Sequence, residues 1–339
     1  MTPTYHVTAL GEYLIDFTDN GSSPQGNTLF EANPGGAPCN VLSMLNRLGR
    51  KCAFIGKVGD DMFGTLLRRV GEEAGIAMDG LAVDPDVRTT LAFVKTLPGG
   101  ERDFSFYRNP GADMRLRADE LPMDILQSTA VFHYGSISMT HEPARAATVK
   151  AVETARAAGA LIFYDPNLRP PLWDDLTEAG EQIAWGLDHC DVCKIADNEL
   201  EFVTGLTLTC GEDFDRGAAM ILEKHPTIRL LNVTAGPGGS YGYTGTLRVY
   251  QPAFLLGGTI EATGAGDAFC GCVLDWILTH GMDSFTEESL GEMLRFASAA
   301  AYLVTTKKRG DPVYANERAG GDVNAELRIM HSELLLRNT

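Results

Sequence analysis

Short apolar runs alternate with helix-patterned stretches along most of this 339-residue chain. The runs "YHVTAL" (5–10), "CAFIGKV" (52–58), "AVFHYG" (130–135), "ALIFYD" (160–165), "DVCKIA" (191–196) and "RLLNVT" (229–234) predict strands. Between them, "NVLSMLNRLG" (40–49), "MFGTLLRRVGEEAG" (62–75) and "EPARAATVKAVETARAAG" (142–159) carry apolar residues three and four apart, the spacing of an amphipathic helix. Gly159 closes the last of these in the position of a helix C-cap. Strands alternating with helices predict an α/β fold with a doubly wound, mostly parallel sheet and helices on both faces.

Two segments depart from this rhythm. Residues 12–32 and 88–109 alternate apolar and polar positions at period two, as in "TLAFVKTLPGGERDFSFYR", where "PGG" (98–100) supplies a hairpin turn. A two-stranded piece does not stand alone in water, so the two segments are expected to pair into a small sheet, a lid over a site in the larger unit. No linker, repeat or low-complexity tract marks a further domain. The expectation is one α/β domain over 1–339 with lid segments at about 12–32 and 88–109, closed by an amphipathic helix in "GGDVNAELRIMHSELLLRNT" (320–339).

Charge narrows the function. A formal charge of -17 argues against nucleic acid and anionic membrane surfaces, both of which call for basic patches. No run of 18 apolar residues occurs, and "MTPTYHVTALGEYLIDF" lacks the basic and apolar regions of a secretory signal, so a cytoplasmic protein is expected. The seven cysteines are scattered. Cys190 and Cys193 form a C-x-x-C with no second pair, which reads as small apolar side chains of a buried strand in a reducing compartment.

The stretch "EATGAGDAF" (261–269) carries the candidate chemistry. It is a glycine-rich turn opening into a helix, and backbone N–H groups at a helix amino end favour an anion. It contains no lysine for a Walker A loop, and Gly271 falls at the wrong spacing for a dinucleotide fingerprint, which weighs against a nicotinamide dehydrogenase. An acid directly after such a turn suits phosphoryl transfer to an alcohol. The amides of Gly264, Ala265 and Gly266 would stabilise the moving phosphoryl group while Asp267 takes the hydroxyl proton. The alternative is that Asp267 is a first-turn acid favoured by the helix dipole alone.

A second stretch, "NPGGAPCNVLSMLNRLGRKCAFIGKVGDDMFG" (33–64), pairs with "EATGAGDAF" as the two signature regions of the ribokinase-type (PfkB) carbohydrate kinase family. The chain resembles that family along nearly its whole length. Within it, "GEYLIDF" (11–17), "GGAPCNV" (35–41), "DFSFYRNPGADM" (103–114), "FHYGSIS" (132–138), "DPNLRPPLW" (165–173) and "DNELEFVTG" (197–205) are most similar to fructokinases.

The resemblance implies an ATP-dependent sugar kinase acting on a hydroxyl of D-fructose. Asp16 would accept hydrogen bonds from sugar hydroxyls, or cap a turn. Gly35 and Gly36 would let backbone approach the ring, and Asn40 would read hydroxyls or serve as an N-cap. Arg108 would reach from the lid to the sugar or its phosphate, or be a solvated charge. Asn167 and Arg169 would bind substrate beyond a strand end, or stabilise their loop. Asn198 and Glu201, as N-x-x-E, would tend magnesium through water beside the phosphates. Thr234, Gly236 and Gly239 would contact ATP, or form an ordinary glycine turn.

Glu261-Ala262 stands where the family often has Asp-Thr, so Glu261 is a candidate, with a longer side chain, for a monovalent cation such as potassium. Lys307, Lys308 and Arg309 receive no role. The family also implies a homodimer through the lid. Two other readings are carried: a kinase for another sugar, such as 2-keto-3-deoxygluconate, whose kinases share the Tyr107-Arg108 pattern, and a non-catalytic sugar-binding regulator.

Overall fold

The computed structural model describes residues 3–96, 102–260, 262–283 and 285–306. The chain opens with β1 (Tyr5–Leu10), then β2 (Leu14–Ser22), β3 (Thr28–Gly35), α1 (Ala37–Arg47), β4 (Cys52–Gly59), α2 (Met62–Glu73) and β5 (Ala77–Asp84). It continues through β6 (Leu91–Thr96), β7 (Arg102–Tyr107), α3 (Met123–Gln127), β8 (Thr129–Gly135), α4 (Ala144–Ala157), β9 (Leu161–Asp165) and α5 (Leu176–Asp188). The remaining elements are β10 (Val192–Ala196), α6 (Asp197–Thr204), α7 (Gly211–Lys224), β11 (Leu230–Thr234), β12 (Ser240–Thr244), β13 (Leu247–Gln251), α8 (Ala265–His280) and α9 (Glu287–Thr305).

The larger sheet runs in the order β5-β4-β1-β8-β9-β10-β11-β12-β13. From β5 to β11 the pairs are parallel, and β12 and β13 add antiparallel strands at one edge. Side chains alternate across this sheet, so each parallel strand supplies both faces with apolar groups. Val7, Phe54, Val131, Phe163, Val192 and Leu230 pack with α1, α8 and α9 on one face. Leu10, Ile55, Phe132, Ile162, Ile195 and Val233 pack with α4, α5 and α7 on the other. This is the doubly wound arrangement expected, with each predicted strand found within a residue or so of its expected bounds.

The pattern did not flag β5, β12 or β13. In β5, Asp79 and Gly80 interrupt the apolar run. The β12–β13 hairpin is short, and in β13 half-buried residues alternate with exposed ones.

The two period-two segments do pair. Their strands form a second sheet in the order β3-β2-β6-β7, with antiparallel hairpins joined through a parallel β2–β6 pair. Asp16, Thr18, Val94, Phe104 and Phe106 face a cleft, while Phe17, Phe30, Phe93 and Tyr107 form a chain of ring contacts on the opposite face. The 98–100 turn, the 320–339 helix and Lys307, Lys308 and Arg309 lie outside the described residues. Cys190 and Cys193 are both buried free thiols, Cys193 within β10 and Cys190 in the loop before it. No helix among the described residues is long and apolar enough to cross a membrane.

Phe54 is fully buried in β4 with its ring edge-on to Tyr13 at 5.4 Å. Phe54→Ala should therefore cost about 3–5 kcal/mol of stability. A lowered urea midpoint with an unchanged denaturant slope is the expected result.

Candidate active site

In the larger sheet the strand order reverses between β1 and β8, with β4 and β5 built outward on one side and β9 to β11 on the other. Doubly wound sheets open a crevice at the carboxyl ends of their strands at such a reversal. Here a cleft of about 1100 Å³ lies there. It is lined by residues at or beyond the carboxyl ends of β1 (Glu12), β9 (Asn167, Arg169), β10 (Asn198, Glu199) and β11 (Thr234, Gly236), and it is covered from one side by the smaller sheet.

At its centre stands Asp267, in the first turn of α8. Gly264 caps this helix with a φ of 80°, a left-handed value that glycine adopts without strain. The N–H of Ala265, expected to face the phosphoryl group, instead donates to the Ala262 carbonyl at 3.3 Å, and the amides of Gly266 and Asp267 fall in the turn whose N–H groups have no partner within the helix. The carboxylate accepts a 2.7 Å hydrogen bond from Nδ2 of Asn40, in the first turn of α1. That bond joins the two signature stretches, which are 227 residues apart. Burial raises the Asp267 carboxyl to about 6; the Asn40 bond and the charges of Lys194 and Arg169 oppose the rise, while Asp165 adds to it. The group thus titrates near neutrality, where a carboxylate works well as a general base.

The backbone before α1 is equally constrained. Gly36 has a φ of 122°, and a Cβ placed there would lie 2.3 Å from the carbonyl oxygen of Glu12. Glu12 in turn accepts the N–H of Ala37 at 3.0 Å. Buried among these groups, its carboxyl is pushed up to about 7. Gly36 lines the cleft, whereas Gly35 sits one residue back as the last residue of β3, opposite Leu14. Asp16 lines the cleft from β2 and is 6% exposed.

Asn167 adopts a φ of 47°, which asparagine tolerates better than most side chains, and Arg169 follows it; both line the cleft. Arg108 also lines it, but its guanidinium is not a solvated lid charge. It donates to Asp113, Thr140 and the carbonyl of Ile137.

A second expected residue is displaced. Glu201 does not line the cleft; its carboxylate accepts the N–H of Leu208 at 2.7 Å. The acid facing the cleft from α6 is Glu199, because two helical residues are separated by about 200°. Glu199 accepts the N–H groups of Leu168 at 2.7 Å and Ala196 at 2.8 Å, tying the loop after β9 to the start of α6. Its buried carboxyl is raised, with Lys194 opposing. Asn198, Thr234, Gly236, Gly239, Gly264, Ala265 and Gly266 all line the cleft, and Glu261 lies outside the described residues.

Lys194 is the residue that sequence reasoning passed over. Its ammonium lies 3.3 Å from each oxygen of Asp165, and a Cβ on Gly266 would meet it at the same distance. Burial alone would lower its pKa, but the Asp165 and Glu199 carboxylates outweigh that and hold it above the ordinary lysine range. A lone lysine in the apolar strand "DVCKIA" was the available signal.

A helix amino end with free amides, a half-buried carboxylate beside it and a cleft roofed by a second sheet are the parts that phosphoryl transfer to an alcohol would use. Residues 5–313 match the model of the pfkB family carbohydrate kinases. The chain belongs to that family. A probable fructokinase-2 of Arabidopsis thaliana is 44% identical over 308 residues, which cover 90% of this chain and 92% of that one. A fructokinase with bound ATP from Xylella fastidiosa superposes with a TM-score of 0.79 at 32% identity, covering 90% of this chain and 94% of that one. A putative ribokinase II in complex with ATP and Mg2+ from E. coli gives 0.76 at 25% identity, covering 90% and 94%.

In this kinase a base at Asp267 acts only when deprotonated. Turnover should therefore rise with pH through a limb centred near 6 and level off above it. Asn40→Ala removes a hydrogen bond to the charged form and should move that limb to higher pH. Measured kcat against pH, flat across the limb in both enzymes, would dismiss the assignment.

Proposed function

We propose that this kinase transfers the γ-phosphoryl group of ATP to a hydroxyl of D-fructose. The observation that carries the reading is the meeting of Asp267, Asn40 and the first-turn amides of α8 at the middle of one cleft. On one side of that point lie Asp16, Gly36 and Asn40, a set of hydroxyl-reading groups; on the other lie Thr234, Gly236 and Gly239, where a nucleotide would rest. The names of the relatives at 44% and 32% identity support fructose as the acceptor.

Asp267 takes the proton of the attacking hydroxyl as the new P–O bond forms and the bond from the γ-phosphorus to the β,γ-bridging oxygen breaks, with ADP as the leaving group. The amides of Gly266 and Asp267 hold the charge that gathers on the phosphoryl oxygens, and Lys194 adds a cation beside them. Closure of the smaller sheet over the sugar keeps water, a competing acceptor, from the phosphoryl group.

Magnesium is expected with the nucleotide. Among the described residues no group of three or more His, Cys, Asp or Glu side chains forms a metal cage. Glu199 already accepts two backbone N–H groups, so with Asn198 it suits a hydrated cation held through water. When bound, the ion would neutralise phosphate charge.

The outer face of the smaller sheet supports a homodimer. Phe30 and Tyr107 are 47% and 64% exposed there, a patch that a second copy would cover.

Asp267→Asn should leave fructose and ATP binding near wild type while lowering kcat by roughly 10²-fold or more; near-normal turnover would refute the base. An ATP-consumption screen over fructose, glucose, ribose and 2-keto-3-deoxygluconate tests the acceptor. Fructose should give the highest kcat/KM, and turnover of none would leave only a sugar-binding role. A monomer mass by light scattering at micromolar concentration would count against the dimer.

A further inference from the structure

At the root of the β6–β7 hairpin, Leu91 pairs with Tyr107, so Thr90 and Arg108 are the next residues on either strand. Both turn to Asp113. The Thr90 hydroxyl donates to Oδ1 at 2.5 Å, and Nε of Arg108 donates to Oδ2 at 2.8 Å. Nη1 of Arg108 continues to the Thr140 hydroxyl at 3.0 Å and Nη2 to the Ile137 carbonyl at 3.1 Å. The ion pair is buried, with each side chain 3% exposed. Gly111 is the residue that lets these groups converge, since a Cβ there would lie 1.9 Å from Oγ1 of Thr90 and 2.7 Å from Oδ1 of Asp113.

The charge around this pair is one-sided. Glu12, Asp16, Asp19 and Glu31 line the same end of the cleft. The other two described cations of the cleft belong elsewhere. Lys194 pairs with Asp165, and Arg169 stands beyond β9, where its charge is felt by Asp267. A guanidinium has five N–H groups, and three of Arg108's are engaged, leaving two that can meet a neutral acceptor such as a sugar hydroxyl. Its positive charge, however, is already matched by Asp113.

We propose that Asp113 is a positioning residue that sets substrate specificity: by holding and neutralising Arg108, it leaves the sugar end able to bind uncharged sugars and hostile to sugar acids and sugar phosphates. This deepens the sugar-kinase reading above and rests on it. A carboxylate entering here meets the acidic side chains of Asp16, Asp19 and Glu31, with Glu12 behind them, and an arginine that already has its counter-ion. Discrimination of this kind comes from the repulsive element as much as from the attractive one.

The test compares kcat/KM for D-fructose and 2-keto-3-deoxygluconate in three enzymes. Wild-type turnover of fructose with ATP is the separate check on the fructokinase reading, and its absence would fail that reading alone. Asp113→Asn keeps the shape and frees the guanidinium charge, so the fructose-to-acid ratio should fall at least about tenfold, chiefly through KM for the acid. The Arg108→Gln/Asp113→Asn double variant removes both charges and should restore the ratio. A folded Asp113→Asn enzyme with a wild-type ratio would overturn the proposal.

A buried arginine without its partner threatens folding. If the single variant does not fold, wild-type enzyme under a salt titration decides. Inhibition of fructose turnover by the sugar acid should strengthen with ionic strength as repulsion is screened, and a salt-independent inhibition constant would overturn the proposal.

Discussion

The hydrogen bond from Asn40 to Asp267 requires the amino ends of two helices to lie side by side at the mouth of the sheet. That closeness has a steric origin. On α8, Gly271 faces α1, and a Cβ there would sit 2.8 Å from Cγ of Met44 and 3.3 Å from the carbonyl oxygen of Val41. With glycine the helices meet; with a larger residue one of them must move. Once they meet, the turn before α1 and the turn before α8 share one point, and the rest of the cleft is arranged around it.

Charge around that point follows a consistent rule. Among the described residues, each deeply buried lysine or arginine has a carboxylate partner: Lys57 with Asp84 and Glu120, Arg108 with Asp113, Lys194 with Asp165. Removing one member of such a pair leaves an ion in a medium that solvates it poorly, which is costly. The carboxylates whose proton affinity burial raises most plainly, Glu12 and Asp267, both face the cleft. One braces the turn before α1 and the other faces the reacting hydroxyl in the proposed mechanism. The same physics gives the cleft two characters, acidic where Glu12, Asp16, Asp19 and Glu31 line it and cationic at Lys194 beside the helix amides, which suits the proposed sugar and phosphate positions.

Much of this was legible beforehand because the features are local. Apolar runs such as "CAFIGKV" mark strands buried on both faces, and period-two alternation in 12–32 and 88–109 marks strands buried on one. "TGAGD" announces a helix-end turn because only glycine takes the left-handed cap cheaply. What local pattern did not reveal was facing. Asn198 and Glu201 matched a spacing, yet the helix turns Glu201 towards Leu208 and presents Glu199 to the cleft. Nor did it reveal burial of charge: Lys194 in a strand and Asp113 in a turn give no periodic signal.

By itself, then, the chain determined its elements, their alternation and the chemistry of its two glycine-rich turns, since those depend on backbone preference and on side chains a few residues apart. The tertiary structure alone decided which acids meet which bases. Asp267 meets Asn40, Arg108 meets Asp113 and Lys194 meets Asp165 only after strand order and helix packing have set their distances. Coulomb and hydrogen-bond energies depend on those distances and on burial, and neither is written in the order of residues.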